Sequence, residues 1–181
     1  VPVARTIDRF VCGYAVATVD EGLKLRRHGI EKEILSLGPV SPGRYQECLE
    51  NDISLPVFEY RRAKELSDAA AAEGKTAKIH IAVDTGMSRI GLFPDEGSVE
   101  TVKEIAELPA LRIAGMFTHF ARADEADKTN AGEQYSRFHA FCDAVKAAGV
   151  DVPVCHCSNS AGIVELPDFN MDAVRAGITI Y

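Results

Sequence analysis

Four short stretches of the chain gather charged, hydroxyl and glycine residues more densely than a plain turn requires. The first is Asp84-Thr85-Gly86-Met87-Ser88-Arg89-Ile90-Gly91. Arg89 is a fixed cation whose planar fork suits carboxylate, phosphate or phenolate oxygens. A capped turn with Arg89 paired to a nearby acid is the plainer alternative. The second stretch is Thr118-His119-Phe120-Ala121, where His119 can act as base, hydrogen-bond orienter, aromatic platform or simple packing residue. The third, His156-Cys157-Ser158-Asn159-Ser160, offers hydroxyls and an amide ahead of Ala161-Gly162. The fourth is Arg175-Ala176-Gly177-Ile178. Gly177 there lets backbone N–H groups approach an anion closely, unless it is merely a helix stop.

Cys155-His156-Cys157 invites a zinc reading. On a strand, however, the two cysteines share one face and His156 points to the other. No second ligand pair with metal spacing accompanies them, so no metal site is assigned.

Short apolar, β-branched runs alternate with helical patterns, and these elements must position the four stretches. Strands are expected near 10–16, 33–37, 55–58, 77–83, 112–118, 152–156 and 171–174. The first helix opens at Thr18, with Glu21 three residues on as a capping box, and stops at Gly29. Further helices are expected over 44–49 (after Ser41-Pro42), 61–73, 98–108 and 132–148. Alternating strands and helices imply parallel β-α units with right-handed crossovers, and in such folds function gathers at the C-terminal strand ends.

Seven strands in 181 residues fit an open doubly wound sheet by length, and a closed barrel only if a β-α unit is missing. The third and fourth stretches follow the last two strands. That is where β/α barrels often bind phosphate, which favours the barrel.

The formal charge of −7, from 20 Lys+Arg against 27 Asp+Glu, argues against a nucleic-acid binder, which needs a basic footprint. No apolar run reaches the roughly 20 residues that span a bilayer, and no leader pattern opens the chain. Five cysteines at irregular spacing do not form a disulfide framework, which points to a reducing, cytoplasmic setting. The chain opens on Val1 rather than Met and reads as one domain cut from a longer protein.

Taken together, the four stretches resemble, in order and approximate spacing, those of bacterial alanine racemases, and the similarity runs across essentially the whole chain. The resemblance implies the pyridoxal 5'-phosphate-binding (β/α)8 barrel of that family, here as about seven units over 1–181 without the first strand. It also implies roles. Arg175 would face the pyridine nitrogen, and His119 would lie against the ring and, with Asn159, hold Arg175. Ser160 and the backbone of Gly177 and Ile178 would take the phosphate, and Leu37 would line the pocket. Arg89 would reach the phenolic oxygen and the substrate carboxylate. The implied whole enzyme is a cytoplasmic homodimer that interconverts L- and D-alanine for peptidoglycan.

Two features depart from that pattern. The family's cofactor-bearing lysine lies on the first barrel strand, and its tyrosine base lies on a C-terminal β domain. Both are expected outside these residues, so the chain alone is expected to be inactive. Ala82 stands where many members carry a carbamylated lysine, and a chloride or a water is expected to fill that place. Alternatives are a serine or broad-spectrum racemase, and a non-catalytic module that binds the cofactor or an amino acid.

Overall fold

The structure is a computed structural model and describes all residues from Val1 to Tyr181. Its framework is six parallel strands: β1 (Gly13–Val16), β2 (Glu33–Ser36), β3 (Ile53–Val57), β4 (Ala77–Ala82), β5 (Leu111–Phe117) and β6 (Cys155–His156). The helices are α1 (Pro2–Ile7), α2 (Val19–Arg27), α3 (Tyr45–Glu50), α4 (Tyr60–Ala72), α5 (Glu96–Ala106), α6 (Thr129–Ala147) and α7 (Ser160–Glu165). No helix is long and apolar enough to cross a membrane.

Local chemistry explains where the helices begin. Thr18 Oγ1 accepts from Glu21 N, and the Glu21 carboxylate accepts from Thr18 N and Ala17 N, so α2 opens on the expected capping box. Asp95 caps α5 by accepting from Ser98 N at 2.8 Å.

The strands lie in strict chain order, β1 to β6, every pair parallel. A doubly wound sheet reverses its strand order at a switch point. Strict order is the wall of a β/α barrel, here a half-barrel. The two faces of this wall differ. Ile34, Ile53, Leu55, Val57, Ile79, Ile81, Ile113 and Met116 pack outward into one apolar core with Leu66, Val102, Ile105, Phe138 and Val145 of the helices. The alternate positions face inward, and pairing aligns Ala15 with Leu35, Pro56 with His80, His80 with Gly115, and Phe117 with His156.

Three sequence expectations change. The strand expected from Phe10 begins at Gly13, because α1 and a 3-10 turn over Asp8–Phe10 precede it. The seventh strand near 171–174 reduces to one bridge, Ala173 to His156. Asp172 holds Cys155 from both sides: its amide donates to Cys155 O at 3.1 Å and its carboxylate accepts from Cys155 N at 2.8 Å. A short helix, α7, follows Asn159 where only a turn was expected.

Ile81 is fully buried on the outer face. Ile81→Ala is expected to lower the unfolding free energy by about 2–5 kcal/mol, measured in denaturant. A loss well under 1 kcal/mol would contradict the division of the faces.

Candidate functional site

The loop after β4 is held at its base by its own backbone. Asp84 N donates to Leu92 O and Leu92 N to Ala82 O, at 2.8 and 2.9 Å. Gly91 sits at φ +133°, where a Cβ would stand 2.3 Å from Asp84 N, so only glycine closes this loop. Asp84 Oδ1 accepts from Gly86 N and Ser88 N at 3.0 and 2.9 Å. The loop therefore presents an exposed Arg89 from a fixed frame. Arg89 has no acidic partner, and the neighbouring strand-end residue Ala82 is buried and uncharged.

His119 follows β5 and is half-buried. Its backbone is fixed from behind by Gln134, which is completely buried on α6. Gln134 Oε1 accepts from Ala121 N at 2.8 Å, and Nε2 donates to His119 O and to Thr85 Oγ1, both at 3.1 Å. Thr85 and Thr118 share a hydroxyl contact at 2.8 Å, and Arg137 donates to Thr85 O at 2.9 Å. One amide thus clamps the loops after β4 and β5 to the same helix. Sequence reasoning missed Gln134, since a glutamine inside a helical pattern reads as solvated surface. Its place on the buried face of α6 was the only available signal.

After β6, Asn159 Oδ1 accepts from Gly162 N at 3.0 Å and caps α7. Asn159 makes no hydrogen bond to Arg175, in contrast to the expected holding role. Ser160 Oγ accepts from Gly177 N at 2.9 Å, Thr179 N at 3.3 Å and Thr179 Oγ1 at 3.2 Å. Three donors of the 177–179 segment therefore converge on the Ser160 hydroxyl. Ile178, between Gly177 and Thr179, is 81% exposed.

Arg175 crosses this floor. Its Nη2 donates to Thr118 O at 2.7 Å and Cys157 O at 3.0 Å, and lies 3.5 Å from His119 Nδ1. Its Nη1 donates to His156 O at 3.2 Å and to His156 Nδ1. Only Nε, also buried, has no partner. Burial, together with Arg89, pulls the guanidinium down to about 10, so it remains charged at neutral pH.

Arg89 and Arg175 act on one neighbourhood. Burial, then Arg175, then Arg89 push the His119 imidazole down to about 4. Leu37, Met87, Arg89, Ile90, Thr118 and His119 line one shallow pocket. Leu37 reaches it because its amide donates to Val16 O at 2.8 Å, while a Cβ at Gly38 would meet Ala17 O at 2.5 Å. A larger cavity, about 470 Å³, opens at the opposite end of the sheet around Ala106, Arg112 and Val150, away from these strand ends. Arg89, His119, Ser160, Arg175 and Gly177 are therefore brought to one mouth. Its two cations, neutral imidazole and cluster of N–H and O–H donors suit an anionic ligand that carries an acceptor for Arg175 Nε.

A half-barrel with a cationic mouth at its C-terminal strand ends defines an α/β barrel domain built for a small anionic ligand. The family described as "Alanine racemase, N-terminal domain" matches residues 1–181. The alanine racemase of Clostridium novyi (strain NT) is 45% identical over 179 residues, covering 99% of this chain and 46% of the relative. An alanine racemase structure from Clostridium difficile 630, in complex with cycloserine, superposes with TM-score 0.98 at 37% identity, over 100% of this chain and 50% of that one. Another, from Bacillus anthracis with bound L-Ala-P, gives 0.88 at 38% identity, over 100% of this chain and 47% of that one. The chain belongs to the alanine racemase family and spans about half the length of the relatives it matches.

Two outcomes test the site geometry. Gln134→Leu leaves buried groups of both loops unpaired and is expected to cost about 2–4 kcal/mol in denaturant unfolding; a cost near zero would contradict the clamp. His119 is expected to stay neutral from pH 5 upward when followed by NMR. Its folded value, about 4, lies below the ordinary 6.5, so its contribution to stability is complete above pH 6.5 and is lost as pH falls toward 4. An imidazole titrating near 6.5 in the folded protein would contradict this.

Proposed function

We propose that this chain is the cofactor-binding part of a pyridoxal-phosphate-dependent alanine racemase. The observation that carries the reading is Arg175: four of its five donors are fixed on the wall, and the buried Nε is left for a ligand acceptor. When bound, pyridoxal phosphate supplies the electron withdrawal that makes the substrate α-proton removable. In this reading Arg175 Nε donates to the ring nitrogen. A guanidinium holds its proton, so Arg175 would donate a hydrogen bond to the ring nitrogen without protonating it, and a ring so bound would be a weaker electron sink. That suits returning the proton over competing chemistry. His119, held neutral by burial and then by its cationic neighbours, would lie against the ring without adding charge.

Ser160 and the backbone of Gly177 and Ile178 would take the phosphate, which would draw the Gly177 amide away from Ser160 Oγ, and Asn159 fixes the turn that carries Ser160. Arg89, free of acidic partners, reaches the phenolic oxygen and the substrate carboxylate, and Leu37 covers the pocket side. No lysine of the chain stands at the mouth. Lys32, Lys64, Lys78, Lys103 and Lys128 are engaged with carbonyls or carboxylates elsewhere, while Lys24 and Lys146 lie on helices and Lys75 precedes β4. The two proton-moving groups therefore come from outside these residues. In the same reading the whole enzyme is a cytoplasmic homodimer that supplies D-alanine for peptidoglycan.

The test compares the full-length protein with residues 1–181 alone, each given pyridoxal phosphate. Full-length protein is expected to interconvert L- and D-alanine. Residues 1–181 are expected to give no D-alanine and no borohydride-trapped lysine adduct. Comparable turnover by the two, or none by the full-length protein, would overturn the reading.

A further inference from the structure

Three buried side-chain atoms in the structure lack a hydrogen-bond partner: Arg175 Nε, His80 Nε2 and Asn130 Oδ1. The first two are opposite ends of one line of contacts. Arg175 Nη1 meets His156 Nδ1. His156 Nε2 lies 3.1 Å from His80 Nδ1, and His80 Nε2 lies 3.6 Å from Glu33 Oε1. Glu33 Oε1 also accepts from Ser54 Oγ at 3.0 Å. The line crosses the inner face from β6 through β4 to the first residue of β2, from the mouth to the far end of the sheet.

Space for this line is built into the wall. Gly115 on β5 lies beside it, and a Cβ there would stand 2.7 Å from His80 Nδ1 and Cε1. The β4–β5 register shifts between Ile79 and His80. The two imidazoles meet edge to face, with centroids 5.2 Å apart at 70°. Phe117 stacks on His156 at 5.4 Å and lies under the Arg175 guanidinium at 5.6 Å.

The chemistry of the ends sets the protons between them. A guanidinium only donates and an ionised carboxylate only accepts. His156 Nδ1 must therefore accept, which puts its proton on Nε2, toward His80 Nδ1. His80 in turn carries its proton on Nε2, toward Glu33. Reversing either ring would set N–H against N–H inside the wall. Burial, Arg175 and His80 hold His156 well below its ordinary range, hence neutral. His80, with Ser54 and Lys78, holds the Glu33 carboxyl down to about 2.

We propose that His156, His80 and Glu33 form a proton-ordered strut that positions Arg175, with the Glu33 carboxylate fixing the direction of both imidazoles from the far end of the sheet. Glu33, His80 and His156 are thus positioning residues for the ring-nitrogen contact. The significance of the strut for catalysis rests on the function reading above; its proton order does not.

The test uses full-length protein labelled with 15N-histidine, first without cofactor. Two-bond 1H–15N spectra are expected to show both His80 and His156 protonated on Nε2. Glu33→Gln replaces a half-exposed side chain with one that both donates and accepts. It is expected to leave the fold intact by circular dichroism and to convert His80 to a mixture of tautomers. It is also expected to weaken pyridoxal phosphate binding about threefold or more, with a shifted cofactor absorption band. Glu33→Asp, which keeps the acceptor, is expected to restore the single tautomer in part. Protonation of His156 on Nδ1 in the unmutated protein would overturn the strut, as would His80 signals unchanged by Glu33→Gln. Cofactor binding by the unmutated protein is scored in parallel, so that failure of the function reading is distinguishable from failure of the strut.

Discussion

A charged guanidinium inside a barrel wall is the constraint around which the rest is arranged. Burying a cation without partners costs several kcal/mol, and here no carboxylate sits beside Arg175 to offset it. Backbone carbonyls of Thr118, His156 and Cys157 do so instead, with the His156 ring. Those carbonyls lie at the ends of β5 and β6, and that of His156 also accepts from Thr118 N at 3.3 Å. The cation therefore stitches together the loops that a ligand must touch.

The two faces of the sheet divide the work. The outer face is aliphatic and joins the helices in the apolar core. The inner face carries His80, Phe117 and His156, all buried. Buried imidazoles call for partners, and the line from Glu33 to Arg175 supplies one to every ring nitrogen of the pair but His80 Nε2, which stands 3.6 Å from Glu33 Oε1. Gln134 performs the same service one layer out, satisfying three groups of the mouth loops from the buried face of α6. Rigidity at the mouth thus comes from residues that do not reach it.

Much of this was legible in the sequence. The alternation of strands and helices, the Thr18–Glu21 capping box and the four dense stretches at strand ends were readable because each has a local signature. The barrel wall was not readable from periodicity, since open and closed parallel sheets share the same pattern; strand order settled it. The run 171–174 read as a strand by composition, yet it joins β6 by a single bridge, with the Asp172 carboxylate taking the Cys155 amide while the Asp172 amide donates to Cys155 O. Gln134, His80 and Glu33 carry no motif at all. Their roles arise from contacts between residues far apart in the chain, 76 positions in the case of His80 and His156. The Asn159 amide caps α7, a role set by the turn that follows β6.

In the proposed function Arg175, held through four N–H donors, offers its remaining N–H to a ring nitrogen that it does not protonate. Full-length protein loaded with pyridoxal phosphate 15N-labelled in the ring tests this directly. A ring-nitrogen resonance of the unprotonated, hydrogen-bonded type is expected, displaced when Arg175 is replaced by alanine. A pyridinium resonance in the unmutated protein, or one indifferent to Arg175→Ala, would contradict it.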